Sequence, residues 1–366
     1  MISRLFFLHG SFQNVEIVSG KKLHFELYLG RGGFMARLTI YEIADKAGVS
    51  PSTVSRVLNN YTYVQKDTRA KVLKILADNN YALSGTGKSL FAPTSRIVGV
   101  LIADLRTTHH TEGVYFIEHE FSKRGYSCLI YNTGTDPVQH EQYLKNLSQK
   151  QVEAVVLMGS VYQNTSVQNA IMVNLPHVPV AICNGYLDGP NIYGVISDER
   201  GGVSDAIKLL SKKKKRRKFV FVVNHFTPSN QNKLDGFNDG LKLYVANYIS
   251  LVVEAGDSIP EIEESVRSLM LSNPDIDAIV FSEDFVALVG IHILNEMKIR
   301  IPEDVAVVGI NNSRYSQIST PALTSVDNML YDTSLIAVRN LLEVLRGEPV
   351  NHRISISSKV IERDST

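Results

Sequence analysis

Leu38–Asn60, LTIYEIADKAGVSPSTVSRVLNN, decides how the rest of the chain is read. Thr39, with Glu42 three residues on, has the spacing of a capping box. Ile43, Ala44 and Ala47 then recur at helical spacing and predict one buried stripe. Gly48 follows, where a helix end wants a residue tolerant of positive φ, and Val49 can plug a small core. Ser50 supplies a second N-cap, and Pro51 falls at the first helical position, where its missing N–H costs nothing. Val54, Val57 and Leu58 give the second helix an inner face. Ser52, Thr53, Ser55 and Arg56 are left facing outward or along the edge. Helix, glycine turn and a second helix with a short polar outer face is the form of a DNA-reading helix-turn-helix.

Within this stretch stands VSPSTVSRVLN (Val49–Asn59), and two further pieces extend it: V..DTR.KV (Val64–Val72) and NNY (Asn79–Tyr81). Together they resemble, residue for residue, the DNA-binding head of the lactose/galactose repressor family of bacterial transcription regulators. In the third helix, starting near Asp67, the spacing turns Val72, Ile75 and Leu76 toward the head's core. The resemblance implies that Arg56 reads a guanine, Arg to O6/N7 being the commonest specific pairing. It puts Pro51 and Ser52 at the other specificity positions. Thr39, Tyr41, Thr53, Ser55 and Asn59 join the DNA-contacting set, mostly toward phosphates.

The chain has 366 residues, enough for two or three domains, with 44% hydrophobic and 20% charged residues. Its net charge of +1 conceals an asymmetry. From Ala36 to Ala92 there are eight Lys+Arg against four Asp+Glu; from Pro93 onward, 26 against 31. A basic head on an acidic body points to a polyanionic partner for the head alone. Cys128 and Cys183, the only cysteines, sit in apolar runs, which favours inert thiols over a disulfide or metal site. No metal-ligand spacing and no cofactor motif is present, and His109-His110 is read as a pocket edge or plain surface. No run reaches transmembrane length and no secretory signal pattern opens the chain, so a cytoplasmic protein is expected.

Residues 1–34 carry apolar clusters but no domain-sized pattern, and family heads begin a few residues before the capping Thr. We expect translation to start at Met35, with residues 1–34 a mis-annotated leader; a short extension packing on a partner is the alternative. The head is then 35–80 and a hinge 81–95. Within the hinge, Ala82–Ser89 mimics a phosphate loop. It lacks the preceding strand and following helix that such a loop needs. The resemblance makes it a segment that becomes helical on operator DNA, with Leu90 wedged into the minor groove.

From Arg96 the pattern changes. Apolar β-branched runs (Ile97–Asp104, Ser127–Asn132, Ala154–Gly159, Val178–Cys183, then Phe219–Val223, Asp277–Ser282, Val305–Ile310) alternate with helical periods. Such runs argue parallel sheets buried on both faces, and two sets argue two lobes. The fold class is therefore α/β: a three-helix head plus a two-lobed body with parallel sheets. This matches the family's periplasmic-binding-protein-like body over residues from about 36 onward. Lobe 1 is expected at about 96–195 and 323–347, and lobe 2 at about 196–322 and 348–366, with crossovers near Gly194–Ser197 and Thr320–Asp327. The run KKKKRRK (Lys212–Lys218) reads as a solvated turn over a helix C-terminus.

In open α/β sheets ligands bind beyond the C-terminal strand ends. Those ends offer Asp104, Arg106, Asp198, Glu283, Asp284 and Asn311, and helix starts add Asn230, Asn232 and Lys233. Carboxylates and amides there suit sugar hydroxyls. The family's arginine before L.GF is Lys233 here, its usual Asn-Asp is Glu283-Asp284, and its usual Asp after Val-Gly-(Phe/Tyr) is Asn311. The resulting expectation is a homodimeric repressor of carbohydrate-use genes on a palindromic operator, controlled by a carbohydrate in the cleft. A phosphoprotein corepressor is the alternative to a sugar. An α/β enzyme and a transporter's solute-binding protein are the other classes. Neither a nucleophile elbow nor a metal set supports the first, and the DNA-reading head opposes the second.

Overall fold

The computed structural model describes residues 40–58, 64–78 and 95–366. They belong to two compact units, one up to Pro93 and one from Thr94. The expected leader, nearly all of the hinge, and Thr39, Asn59 and Leu90 lie outside the described residues.

The described residues of the head form three helices: α1 (Ile40–Ala47), α2 (Pro51–Leu58) and α3 (Lys66–Asp78). Gly48, at φ +66°, takes the left-handed conformation that ends α1. Val49 N–H then reaches back to Ala44 O at 2.9 Å. Ser50 Oγ accepts from Thr53 N at 3.2 Å, so the sequence-predicted cap forms. Ile43, Ala44, Ala47, Val54, Val57, Val72 and Leu76 close a small core.

The body starts with β1 (Ile97–Ile102), α4 (Thr108–Ser122), β2 (Ser127–Asn132), α5 (Pro137–Gln149), β3 (Ala154–Met158), α6 (Thr165–Asn174), β4 (Val180–Cys183) and β5 (Ile192–Asp198). The chain crosses to a second lobe of α7 (Glu199–Lys213), β6 (Lys218–Val223), α8 (Pro228–Tyr244), β7 (Ile249–Glu254), α9 (Ile259–Ser272), β8 (Ala278–Phe281), α10 (Asp284–Glu296), β9 (Ala306–Ile310), α11 (Arg314–Ile318) and β10 (Thr324–Asp327). It returns through α12 (Leu330–Leu345) and β11 (Arg353–Ser357), then crosses once more to β12 (Lys359–Ile361). The sheets run β11-β5-β4-β3-β1-β2 and β12-β10-β9-β8-β6-β7. Inner strands such as β3 and β8 are buried at every residue, which is why they read as unbroken apolar runs. Each sheet is covered on both faces. Val98, Val100 and Ile102 face the side of α4 and α12, while Leu101, Val155 and Leu157 face that of α5 and α6. A fully buried side chain of this size contributes about 1.5–3 kcal/mol.

Two expected bounds need correction. The return to lobe 1 does not begin at 323, because β10 (Thr324–Asp327) pairs with β9 in the second sheet. Residues 348–366 do not all belong to the second lobe: β11 pairs in parallel with β5, from Arg353 opposite Gly194 to Ser357 opposite Asp198. Only β12 joins the second sheet, antiparallel to β10. Without β11, β5 would be an open edge, a template for unwanted pairing.

The basic run is largely the solvated turn expected, Lys212, Lys213, Lys214, Lys215 and Arg217 being exposed at the end of α7, with one buried member. Arg216 is buried and donates to Leu210 O at 3.0 Å, near the C-terminus of α7. Lys213 pairs with Glu362 at 2.6 Å, Lys218 pairs with Asp275 at 2.7 Å, and Lys214 donates to Glu303 O at 2.8 Å. Both cysteines are free, and burial pushes Cys128 up to about 11 and Cys183 up to about 12.

Candidate functional site

The C-terminal ends of the strands of both sheets face a cleft of about 790 Å³. Topology dictates this placement, because parallel strands point all their C-termini one way. The first lobe contributes Asp104 beyond β1, the opening of α4, Gly134 beyond β2, Ser160 beyond β3 and Asn184 beyond β4. The second contributes Glu199, Asn224 and His225 beyond β6, Asp257 beyond β7, Glu283 beyond β8 and Asn311 beyond β9. Two direct contacts close the lobes on each other. Ser229 N donates to Ser160 Oγ at 3.0 Å, and Arg314 on α11 pairs with Glu112 on α4 at 2.8 Å.

Lys233 lies on the inner face of α8 and is 4% exposed. Its ammonium donates to Asn230 Oδ1 and Ser282 O, both at 3.1 Å, and stands 3.6 Å from Glu199 Oε1. The protein thus occupies the cation that the sequence offered to a ligand. Glu199 is 2% exposed; its Oε2 accepts from Ser229 Oγ at 2.6 Å, while Oε1 has no hydrogen bond. Asn230 is equally committed, donating to His225 O at 2.7 Å.

Asp284 opens α10 with its carboxylate turned inward, accepting from Ser313 N and Ser325 Oγ, each at 2.6 Å. Burial raises it to about 6 despite these bonds. Its neighbour Glu283 has one long contact, 3.5 Å from Asn224 Nδ2. Asn311 is held at φ +104° and accepts from Asn328 Nδ2 at 3.0 Å, where the chain leaves the second lobe.

On the opposite wall Arg106 holds Asp104 bidentately, Nε to Oδ1 at 3.0 Å and the terminal nitrogen to Oδ2 at 2.7 Å. This side-chain bond draws Asp104 below its ordinary value. His110 Nδ1 donates to Asp104 O at 3.1 Å. The Nδ1 of His109 is shut off from solvent without a partner, and burial pushes this ring down to about 3, so it is neutral. The histidine pair is therefore a cleft wall in the first turn of α4, not plain surface.

Of the residues expected at the cleft, Asp104, Arg106, Lys233, Glu283, Asp284 and Asn311 line it, and Asp198 does not. Asp198 is instead the N-cap of α7, accepting from Gly201 N at 2.9 Å. Its place just ahead of a helix was a capping signal that outranked the strand-end rule. Asn232 is exposed and also lies away from the cleft. Sequence reasoning missed Glu199 and Ser229. Burial of a charge cannot be read from one sequence, but Thr227-Pro228 did announce the helix that presents Ser229, Thr227 accepting from Asn230 N at 3.1 Å.

On the head, Arg56 and Ser52 are exposed on α2, and Pro51 and Thr53 are half-buried. The hydroxyls of Ser52 and Thr53 both bond Ser50 Oγ, at 2.8 and 2.9 Å. The side chains of Tyr41 and Ser55 lie outside what is described.

Comparison with known proteins agrees with both parts. Residues 39–84 match the bacterial regulatory proteins of the lacI family, and residues 210–366 match the periplasmic binding protein-like domain. An HTH-type transcriptional regulator of Lachnoclostridium phytofermentans is 31% identical, aligned over 90% of this chain and 99% of its own length. A ribose operon repressor of Halalkalibacterium halodurans is 29% identical over 90% and 97%. The fold is shared with the lac repressor dimer bound to operator and an anti-inducer (TM-score 0.70, 20% identity, 90% and 99% covered). It is shared also with the regulator CelR in complex with cellobiose (TM-score 0.64, 23% identity, 90% and 100% covered). A DNA-reading head, a two-lobed α/β body and relatives along nearly its whole length make this chain a member of the lacI family of bacterial regulatory proteins, a DNA-binding transcription regulator.

Proposed function

We propose that the protein is a homodimeric repressor of carbohydrate-use genes, working in the cytoplasm on a palindromic operator and controlled by a carbohydrate between its lobes. The observation that carries this reading is the cleft itself. It is about 790 Å³, room for a sugar of one or two rings, and it presents hydroxyls, amides and carboxylates among apolar side chains such as Ile259 and Phe285. Paired donors and acceptors of this kind suit ring hydroxyls. Arg56 takes the guanine-reading role, with Pro51 and Ser52 beside it. Tyr41, Thr53, Ser55 and Asn59 flank the phosphates, Thr39 joins the DNA-contacting set, and Leu90 is the minor-groove wedge. Asp104, Arg106, Glu283 and Asn311 are the groups offered to the sugar, with Lys233 and Asp284 shaping the cleft behind them.

The test has two arms. A gel shift against genomic fragments at fixed salt is expected to give a specific band that a carbohydrate from a thermal-shift screen weakens or strengthens. No specific band at any effector concentration would end the reading. Arg56→Ala is expected to cost about 1–3 kcal/mol and to relax preference at one symmetric operator position. Equal loss on specific and random DNA would make Arg56 a phosphate contact instead.

A further inference from the structure

The charges around the cleft do not balance. Its two Lys/Arg side chains are both committed, Arg106 to Asp104 and Lys233 to Glu199, Asn230 and Ser282. Against them stand six carboxylates: Asp104, Glu199, Asp257, Glu261, Glu283 and Asp284. The first two answer the two cations. Glu261 closes the capping box of α9, and Asp284 is turned into the protein. Asp257 sits on His225 at 2.7 Å at the exposed rim. Among the described residues Glu283 has no cation, only Asn224 Nδ2 at 3.5 Å.

An independent feature also asks for a ligand. Glu199 is 2% exposed and lines the cavity, yet its Oε1 lacks a hydrogen bond, Lys233 Nζ standing at 3.6 Å. A buried carboxylate oxygen without a hydrogen-bond donor is costly, so a ligand O–H or N–H there gains what the protein leaves unmade.

We propose that the cleft takes an amino sugar, a carbohydrate unit bearing a protonated amine, with the ammonium against Glu283 and a hydrogen donor of the ring completing Glu199. This inference rests on the carbohydrate reading above. An anionic sugar would meet no free cation and several like charges. A neutral sugar satisfies Glu199 but leaves Glu283 covered and without a cation. The amine meets both needs. The family pattern puts an amide where Glu283 stands, so the exchange removes a donor and adds a charge at one position.

The experiment is calorimetric titration of the full chain at one pH and salt concentration. Its probes are glucose, glucosamine and glucuronate, then the β-1,4-linked dimers of glucose and of glucosamine. The amine-bearing member of a size class is expected to bind about ten-fold or more tighter than its neutral counterpart, with glucuronate undetected. In Glu283→Gln that preference is expected to fall to about two-fold or less. Neutral or acidic sugars binding as tightly as the amines overturn the inference and leave the carbohydrate reading standing. An amine preference undiminished in Glu283→Gln overturns the placement. No binding by any of the five overturns inference and reading together.

Discussion

Strand for strand the two lobes are built alike, in the orders β11-β5-β4-β3-β1-β2 and β12-β10-β9-β8-β6-β7, yet they turn different walls to the cleft. The first lobe's wall is mostly neutral: the opening of α4 with its two histidines, then Ser160 and Asn184. The second lobe's wall holds the buried Lys233–Glu199 pair, Glu283 and the inward-turned Asp284. Sheet topology thus fixes where a ligand can sit, while the first turns of the following helices decide its chemistry. The lobes also finish differently, with a parallel outer strand in one and an antiparallel one in the other.

The sharpest test of the difference concerns helix packing. A Cβ added to Gly236 on α8 would lie 2.2 Å from the backbone oxygen of Arg200 on α7. One added to Gly99 on β1 would lie 2.5 Å from Leu147 Cδ1, the end of a flexible side chain. Gly236→Ala is expected to cost about 3 kcal/mol or more and Gly99→Ala about 1 kcal/mol, measured by denaturant unfolding. Equal costs would mean that the helices of the second lobe are no more tightly fixed than the first lobe's core.

Next in size is the buried pair. Lys233→Met leaves Glu199 uncompensated and is expected to lower stability by about 3 kcal/mol, most of it regained when Glu199→Leu is added. On the first lobe's wall, Arg106 is 91% exposed at the side chain, and Arg106→Ala should leave the unfolding midpoint where it was. A stable Lys233→Met protein would erase this contrast between the walls.

The walls should also answer acid in opposite directions. His109 is pushed down from 6.5 to about 3, so the unfolded chain binds its proton more readily and stability is lost as pH falls below 6.5. Asp284 is raised from 3.8 to about 6, so the folded state holds the proton and its contribution is lost as pH rises through that window. Unfolding of His109→Gln at about pH 5 and about pH 8 should show a gain relative to the parent chain at the acid end. Asp284→Asn should show a relative loss there. The same sign for both would unseat the comparison.

The smallest effect is expected at the bridge between the lobes. Glu112 and Arg314 meet at 2.8 Å, but Arg314 is 74% exposed at the side chain. A double-mutant cycle of Glu112→Gln and Arg314→Gln should give a coupling of about 0.5 kcal/mol. A value of several kcal/mol would make this pair a principal tie between the lobes.

The sequence made the central strands legible because they are apolar at every position. It hid β7 and β11, whose alternating half-exposed residues (Ile249–Glu254, Arg353–Ser357) look like ordinary surface. The head was legible down to the cap, since Gly48, Ser50 and Pro51 act locally. The cleft was legible as a set of strand ends but not as a network. Whether Lys233 is free, whether Asp284 turns inward and whether Glu199 is buried depend on side chains brought together from distant segments. Asp198 misled for the opposite reason: its local role as a cap outweighed its place at a strand end.

The return of β11 to the first sheet has a consequence for how the protein is made. Lobe 1 leaves the ribosome first, beginning with β1, but β5 waits for its outer neighbour until Arg353–Ser357 has been synthesised. Meanwhile the nascent chain carries an apolar strand with an unpaired edge while the whole second lobe is being translated. Domains generally fold as units and N-terminal ones first, yet here the first lobe to be made is sealed only by β11, a few residues before β12 completes the second sheet. Throughout that interval the outer edge of β5 is a template for unwanted pairing.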